Sequence, residues 1–180
     1  MRLTSLLLVS VIAAAAATHG ATKARATTTS VSPSAVADIR AHWRIQSGYV
    51  LQSAMDVPED KYGYKPTSAV RSFGELFAHV AGSQAMFCAI ALGEPAPAED
   101  AVKATSKAAL IEALKQSNAY CDRAYAQTDA AAMAMVDVFG EQHTRLYALM
   151  MNATHDGEHY GNLITYLRMN GMVPPSSRPM

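Results

Sequence analysis

The sequence is short of the residue types that build several common folds and sites. Its 180 residues include two cysteines, too few for a disulfide framework or a multi-cysteine zinc site. Lysine and arginine number 15 and are balanced by 15 acidic residues, so the basic excess of a nucleic-acid-binding protein is missing. Aromatic residues make up 7%, and no alternating strand pattern stands out, which favours helices over a β-sandwich. The 50% hydrophobic content excludes intrinsic disorder and suffices for one domain with a core.

The first residues are typical of an export signal. Arg2 supplies a positive start, the run 3–17 is apolar apart from one threonine and two serines, and Ala24-Arg25-Ala26 suits signal peptidase. An uncleaved N-terminal anchor is the alternative, but the run is shorter than the ~20 residues that a membrane span needs. We expect residues 1–26 to be a signal peptide, 27–33 a flexible lead-in and 34–180 the folded domain. The mature protein would then be periplasmic or secreted, without a stable membrane span.

Export would change the expected state of the two cysteines. An oxidising compartment allows Cys88 and Cys121 to pair, but nothing in the sequence brings them together. Two ordinary buried thiols are therefore the preferred interpretation. Cleavage after Ala26 would also remove three basic residues and no acidic one, which leaves a mildly acidic domain.

Four long helical segments are predicted in the domain, which makes it an all-α four-helix bundle with a long first crossover. The first runs from about Ser34 to Met55, and the second begins at the capping box Ser72-Phe73-Gly74-Glu75 and stops at Gly93. The third runs from about 106 to 125. The fourth starts between 141 and 145 and continues to 170, where Gly171 and two prolines end it.

Two histidines of the fourth segment have the spacing of a metal-binding pair. His155 and His159 are four residues apart, so both imidazoles lie on one helix face and can reach the same ion. The spacing alone is weak evidence, because such pairs also occur on solvated helix faces. Gly157 and Gly161 strengthen it, since each costs ~1 kcal/mol against alanine within a helix and so suggests a close approach. Tight helix packing without any ligand is the alternative.

A third histidine and several polar residues join this candidate site. His79 lies mid-way along the second segment, where a bundle would bring it against the fourth. Three neutral imidazoles could bind a divalent ion and leave positions open for water or substrate. Glu75, one turn before His79, is a fourth ligand, a residue that hydrogen-bonds to a ligand, or the capping residue, and we favour the cap. The polar residues on the face of the histidine pair, which we consider as groups that orient a substrate, are Asn152, Asn162 and Tyr166.

The remaining histidines and Cys88 are weak candidates. His42 is expected at the surface, and His143 lies 120° around the helix from His155 if the fourth segment extends that far. Cys88, nine residues after His79, faces the opposite side of its helix and is a poor ligand.

Two stretches together resemble one known family. Phe73-Gly74-Glu75-Leu76-Phe77-Ala78-His79-Val80 is similar to the second-helix motif of the DinB/YfiT-like superfamily, and His155-Asp156-Gly157-Glu158-His159-Tyr160-Gly161-Asn162 to its fourth-helix motif. The resemblance implies an up-down-down-up four-helix bundle in which His79, His155 and His159 hold a divalent metal. Many members have glutamine where this chain has Asn162, which keeps a neutral amide there. The signal peptide is the larger departure, because the best understood relatives are cytoplasmic.

Two functions are consistent with these patterns. The first is a metal-dependent enzyme, a thiol-dependent transferase or isomerase as the resemblance implies, or a hydrolase that activates water. The second is a metal-binding or stress-associated bundle without turnover, and export favours it because cytoplasmic thiol cofactors would be scarce outside the cell. Zinc or nickel is the expected metal, with iron or manganese also possible. The expected partner is a small-molecule substrate and not a nucleic acid, and a homodimer is a possible assembly.

Overall fold

The computed structural model describes residues 33–97 and 106–179, and these are mostly helical, as predicted. In chain order the elements are α1 (Ala35–Asp56), α2 (Phe73–Leu92), α3 (Lys107–Ala124), the short α4 (Asp129–Ala132), β1 (Met135–Val138), β2 (Glu141–Thr144) and α5 (Arg145–Met169). The predicted signal peptide, 1–26, and nearly all of the predicted lead-in, 27–33, lie outside the described residues.

The ends of the long helices are set by short polar side chains and by glycine. Each of the four begins at a serine or threonine whose hydroxyl accepts a hydrogen bond from a backbone N–H of the first turn, namely Ser34, Ser72, Ser106 and Thr144. At α2 the capping box is complete, because the Ser72 N–H also donates to Glu75 Oε2 at 2.6 Å. The predicted role of Glu75 as a cap is therefore confirmed. Helix α2 ends at Gly93, whose φ of +72° suits a residue without a side chain.

The long helices bury two hydrophobic clusters, one on either side of a polar layer. Helix α2 packs against both α3 and α5, and α1 packs mainly against α5. The Phe77 cluster includes Val50, Phe73, Phe77, Leu114, Leu163 and Leu167, and the Trp43 cluster includes Val36, Trp43, Tyr125, Val138 and Leu149. Between them, one buried polar side chain comes from each of α2, α3 and α5; we call Gln84, Ser117 and Asp156 the polar layer.

The short helix α4 and a β-hairpin precede α5. The sequence analysis predicted four helices and no strands, and it missed both. Strands β1 and β2 pair antiparallel, with Val138 opposite Glu141. The turn between them places Phe139 at φ +57° and Gly140 at φ +91°, and the Gly140 N–H donates to Asp137 Oδ1 at 3.0 Å. Each strand has four residues, which is too short for a clear alternation of polar and apolar positions. Helix α5 consequently begins at Arg145, the last position of the predicted range.

The prediction that Cys88 and Cys121 are separate thiols was wrong, because the structure joins them in a disulfide between α2 and α3. Their Cα atoms are 5.3 Å apart, within the range that a disulfide spans, and both residues are fully buried in the Trp43 cluster. The sequence shows which side of α2 carries Cys88 but not which helix packs against that side. That neighbour, α3, supplies the second sulfur.

One helix of the described residues, α2, is long and apolar enough to cross a membrane by length and composition alone. Half of its most apolar window is buried against the other helices. A core helix passes the same test, and α2 occupies that position between α3 and α5.

Candidate functional site

Three histidines from two helices converge on one point. Helix α5 presents His155 and His159 one turn apart, and the neighbouring α2 presents His79 to them. The Nε2 atom of His155 lies 3.2 Å from His79 Nε2 and 3.1 Å from His159 Nε2. Two nitrogens bound to one tetrahedral zinc at ~2.1 Å lie about 3.4 Å apart, which is close to these separations. The structure therefore brings the three predicted residues together with ligand spacing.

The convergence of three Nε2 atoms is difficult to explain by hydrogen bonds alone. A neutral imidazole has one N–H and one lone pair, so three facing nitrogens cannot all be paired with one another. His155 Nδ1 is buried without a hydrogen-bond partner among the described residues, so hydrogen bonds do not account for the position of this ring either. A cation at the common point would satisfy three lone pairs at once, so the donor set fits a metal ion.

All three imidazoles are held in the neutral form that a metal requires. Burial, with a smaller contribution from the positive charge of Arg71, lowers the pKa of His79 to about 4. Burial and the neighbouring histidines lower the pKa of His155 to about 4. Burial also lowers the pKa of His159, although the nearby carboxylate of Glu158 opposes the shift. At neutral pH each ring therefore has one nitrogen lone pair, which a metal can bind when the ring proton is on the other nitrogen.

Asn162 contacts the far side of the His159 ring. Its Nδ2 lies 3.4 Å from His159 Nδ1. With that atom order the amide would donate to Nδ1, and the proton of the neutral ring would sit on Nε2, where it blocks metal binding. The opposite amide orientation places Oδ1 against an Nδ1–H and frees Nε2, and oxygen and nitrogen of an amide are exchanged by a simple flip. Asn162 thus suits the role of a residue that selects the tautomer of His159.

A cavity of about 860 Å³ opens beside the histidines. His79 and His159 contribute to its wall, whereas His155 is not part of the lining and has its ring 5.6 Å from that of Phe87. The segment that leads into α2 forms the outer wall with Lys65 and Arg71. The volume is within the ~300–1,000 Å³ typical of small-molecule sites. The histidines are therefore accessible to a substrate from one side.

A family model described as the DinB superfamily matches residues 41–163, which include all three histidines. The chain belongs to the DinB superfamily. The matched region runs from α1 into α5 and covers most of the described domain, and the family resemblance seen in the histidine motifs is thereby confirmed. No curated protein sequence matches the chain.

Solved structures of DinB-like proteins share the fold of this DinB-superfamily chain. A DinB-like protein from Bacillus cereus has a TM-score of 0.67 at 14% identity, with 76% of this chain and 93% of that chain covered. The DinB-like protein YjoA from Bacillus subtilis has a TM-score of 0.63 at 24% identity, with 79% and 99% covered. A variant of mycothiol-dependent maleylpyruvate isomerase has a TM-score of 0.59 at 16% identity, with 72% and 59% covered.

The polar residues predicted beside the histidine pair of this DinB-superfamily chain are divided by the structure. Asn162 and Tyr166 line the cavity, and the Tyr166 hydroxyl donates to the backbone oxygen of Arg71 at 3.0 Å. Asn152 lies elsewhere, fully buried, with its Nδ2 3.2 Å from the Tyr125 hydroxyl and close to both disulfide sulfurs. The expectation that Asn152 orients a substrate was therefore wrong, because about two turns of helix separate it from His159 at the cavity and place it in the Trp43 cluster.

The two other histidines of the described residues, His42 and His143, stay apart from the site, as expected, and His19 lies outside the described residues. His42 is exposed on α1. His143 belongs to strand β2 rather than to a helix, and it stacks on Tyr147 with ring centres 4.0 Å apart. The sequence argument excluded His143 as a ligand because it assumed a helix at that position. The exclusion was right, but the assumed helix was wrong.

The glycines of α5 do not mark a close approach. A Cβ at Gly157 would meet the side chain of Gln46 at 3.7 Å, which is ordinary contact, and one at Gly161 would meet nothing within 4 Å. Neither the expected ligand contact nor tight helix packing explains Gly161. The glycines thus add nothing to the case for the histidine site.

Asp156, adjacent to His155, is a site residue that the sequence analysis overlooked. It is fully buried, and its Oδ2 accepts a hydrogen bond of 2.7 Å from Gln84 Nε2. Burial raises the pKa of Asp156 to about 7, and the hydrogen bond from Gln84 only partly opposes this. The indole of Trp43 also lowers the pKa, although Asp156 Oδ1 makes no well-formed hydrogen bond with a described residue. The signal was available, because Asp156 continues the apolar stripe of Leu149, Ala153 and Tyr160 at helical spacing.

Proposed function

We propose that the protein is a divalent-metal-binding member of the DinB superfamily and that His79, His155 and His159 are the ligands. The observation that carries the proposal is the convergence of three neutral Nε2 atoms, all within 4.8 Å of one another. Nitrogen ligands of this kind suit zinc or nickel, and they also accept iron or manganese. Asn162 supports the site from outside by holding the tautomer of His159.

We further propose that the site is that of an enzyme. A structural metal site is closed by four protein ligands, whereas a catalytic one keeps a position open. Here the protein offers three ligands, and two of them, His79 and His159, line a cavity large enough for a small molecule. A metal held by His79, His155 and His159 would act as a Lewis acid and lower the pKa of a bound thiol or water. The reaction class is therefore a thiol-dependent transfer or isomerisation, for which the mycothiol-dependent isomerase of similar fold is a precedent, or a hydrolysis.

The chain's own residues would contribute position and exclusion of water. Tyr166 fixes the segment before α2 through its hydrogen bond to the Arg71 backbone, so the outer wall keeps its distance from the histidines. Phe87 packs against the ring of His155, with ring centres 5.6 Å apart, and limits solvent on that side. Substrate would approach from the cavity, whose wall includes His79 and His159.

The disulfide supports the proposal that the protein is exported. Stable disulfides are typical of periplasmic and secreted proteins and rare in the cytosol. Cys88–Cys121 is fully buried in the core, so it serves the fold and not redox exchange at the surface. A thiol substrate in that compartment would have to be supplied from outside or by transport, whereas water is always present.

The metal content of the protein, purified without a histidine tag and without chelators, tests the proposal. We expect about one equivalent of a divalent metal in the native protein by plasma mass spectrometry, and little in the variant His159→Ala. His42→Ala is the matched control, because His42 is exposed on α1 and should leave the metal content unchanged. A native protein that neither contains nor takes up a stoichiometric metal would refute the proposal. Metal-dependent turnover of thiol conjugates or esters then distinguishes the enzyme from a metal buffer, which would show only rapid metal exchange.

A further inference from the structure

The outer wall of the cavity carries two positive side chains that have no ionic partner. Lys65 and Arg71 are exposed and line the cavity that contains His79 and His159. Within residues 33–97 and 106–179, neither side chain forms an ion pair or a hydrogen bond. The one contact of Arg71 to the site uses its backbone oxygen, which accepts from Tyr166.

The acidic residue of the same wall does not neutralise them. Glu75 also lines the cavity, but its carboxylate accepts the backbone N–H of Ser72 at 2.6 Å and so caps α2. This hydrogen bond is the main reason why the pKa of Glu75 lies below its usual value, and Lys65 and Arg71 make smaller contributions. The cavity wall therefore holds two unpaired cationic groups and one carboxylate that already has a partner.

Arg71 is close enough to the histidines to act on them electrostatically. It lines the same cavity as His79 and His159, on the side from which a substrate would reach them. The positive charge of Arg71 must disfavour a metal cation at the histidines, because like charges repel. An anion bound between the guanidinium and a metal cation would be attracted to both and would offset this repulsion.

We propose that the cavity takes a small molecule with an anionic oxygen group, a carboxylate or a phosphate, which Arg71 and Lys65 bind while the reacting end of the molecule faces the three histidines. A guanidinium matches the two oxygens of either group with two parallel hydrogen bonds, and the ammonium of Lys65 adds a second charge. The inference rests on the proposed function for the position of the reacting end. The selection of an anion depends only on the charges of the cavity wall.

Three thiols of similar length and different charge test this selection: 3-mercaptopropionate, 2-mercaptoethanol and cysteamine. Their affinities can be measured with cobalt-loaded protein, because thiol binding changes the visible spectrum of cobalt(II). We expect mercaptopropionate to bind at least about fivefold more tightly than mercaptoethanol, and cysteamine to bind most weakly. The preference should decrease at higher ionic strength, since both cationic side chains are exposed.

Variants that remove one positive charge test whether the cavity wall causes the preference for the anionic thiol. Arg71→Gln should lower the affinity for mercaptopropionate about fivefold and leave that for mercaptoethanol within twofold, and Lys65→Gln should act in the same direction. Lys115→Gln, which removes an exposed positive charge from α3, is the control and should change neither affinity. The backbone contact of Arg71 with Tyr166 survives the substitution, so the variant should fold. Equal affinities for the anionic and neutral thiols, or a preference that Arg71→Gln retains, would overturn the proposal.

A second readout does not require the metal. Succinate, inorganic phosphate and the neutral succinamide can be titrated into metal-free protein while the side-chain N–H signals of arginine are followed by NMR. We expect succinate or phosphate, but not succinamide, to shift the Arg71 signal, and the two anions report which oxygen group is preferred. If cobalt fails to bind but the anions still shift Arg71, the metal proposal fails and the anion site stands. If neither anion shifts it, the anion site fails whatever the metal does.

Discussion

Reduction of the disulfide is expected to remove a large part of the stability of the metal-free protein. Cys88 and Cys121 are 33 residues apart in the sequence. Closing a loop of that length lowers the entropy of the unfolded chain by an amount worth about 3.7 kcal/mol at 25 °C. Domains of this size are stable by ~5–15 kcal/mol, so the loss is a substantial fraction of the total.

Urea unfolding of oxidised and reduced protein, followed by circular dichroism, measures this difference. We expect the oxidised protein to be more stable by about 3–4 kcal/mol, with a shift of the midpoint to lower urea on reduction. The variant Cys88→Ala/Cys121→Ala should lose at least as much, because it also lacks two buried sulfur atoms, and its stability should not respond to the reductant. A thiol titration of the unreduced, denatured protein should find no free thiol.

Two results would refute the reasoning. Two free thiols in the unreduced protein, prepared from the periplasm or by oxidative refolding, would show that the pairing does not form. A confirmed disulfide whose reduction changes the free energy of unfolding by less than about 1 kcal/mol would show that loop entropy is not its contribution here. In that case the reduced unfolded chain must already be restricted in the region between α2 and α3.

Two further substitutions are expected to change stability, the first independently of pH and the second in a pH-dependent way. Gly161→Ala should raise the free energy of unfolding by about 0.5–1 kcal/mol in urea titrations, because the new methyl group meets nothing within 4 Å and restricts the unfolded chain. Asp156 binds a proton more readily in the folded protein than in the unfolded one, since its pKa rises from 3.8 to about 7. The stability linked to that proton is present below about pH 4 and is lost as the pH rises towards 7. The free energy of unfolding of Asp156→Asn, relative to that of the wild type, should therefore increase by up to the order of 4 kcal/mol between pH 4 and 8. Urea titrations of metal-free protein at several pH values measure this difference.

Each substitution has its own control and contrary outcome. Gly93→Ala is the counterpart of Gly161→Ala and should destabilise, because φ is +72° there and a Cβ would lie 2.9 Å from Arg145. A loss of stability in Gly161→Ala would mean that the helix needs flexibility at that position. For Asp156→Asn, a stability difference from the wild type that is independent of pH would show that the buried carboxyl titrates normally.

Local signals in the sequence were sufficient for the helices and for the histidines. The capping box at Ser72 and the i, i+4 pair His155 and His159 depend on neighbours within one helical turn, which a single sequence records. His79 required one tertiary assumption, that α2 lies against α5, and the structure has that contact. The family motifs supported the same three residues.

The features that were missed depend on contacts between distant parts of the chain. The disulfide needs α3 on the side of α2 that carries Cys88, and no periodicity within either helix states that. The fate of Asn152 depends on the same packing, since the polar face of α5 passes from the cavity to the disulfide along its length. The hairpin is stabilised by pairing between two four-residue strands, which are too short to produce a pattern.

The polar layer has a consequence for the alignment of the helices along their axes. Gln84 on α2 bonds Asp156 on α5 and Ser117 on α3, so each helix contributes one partner at the same level. A slip of α2 by one turn, about 5.4 Å, would leave these buried groups unpaired at a cost of about 1–3 kcal/mol each, whereas the hydrophobic clusters would tolerate it better. Asp156 follows His155 directly, and Gln84 follows His79 by five residues. The layer therefore sets the axial position at which His79 meets the histidine pair. The geometry of the three nitrogens is determined partly by an amide and a carboxyl that lie outside the histidine cluster.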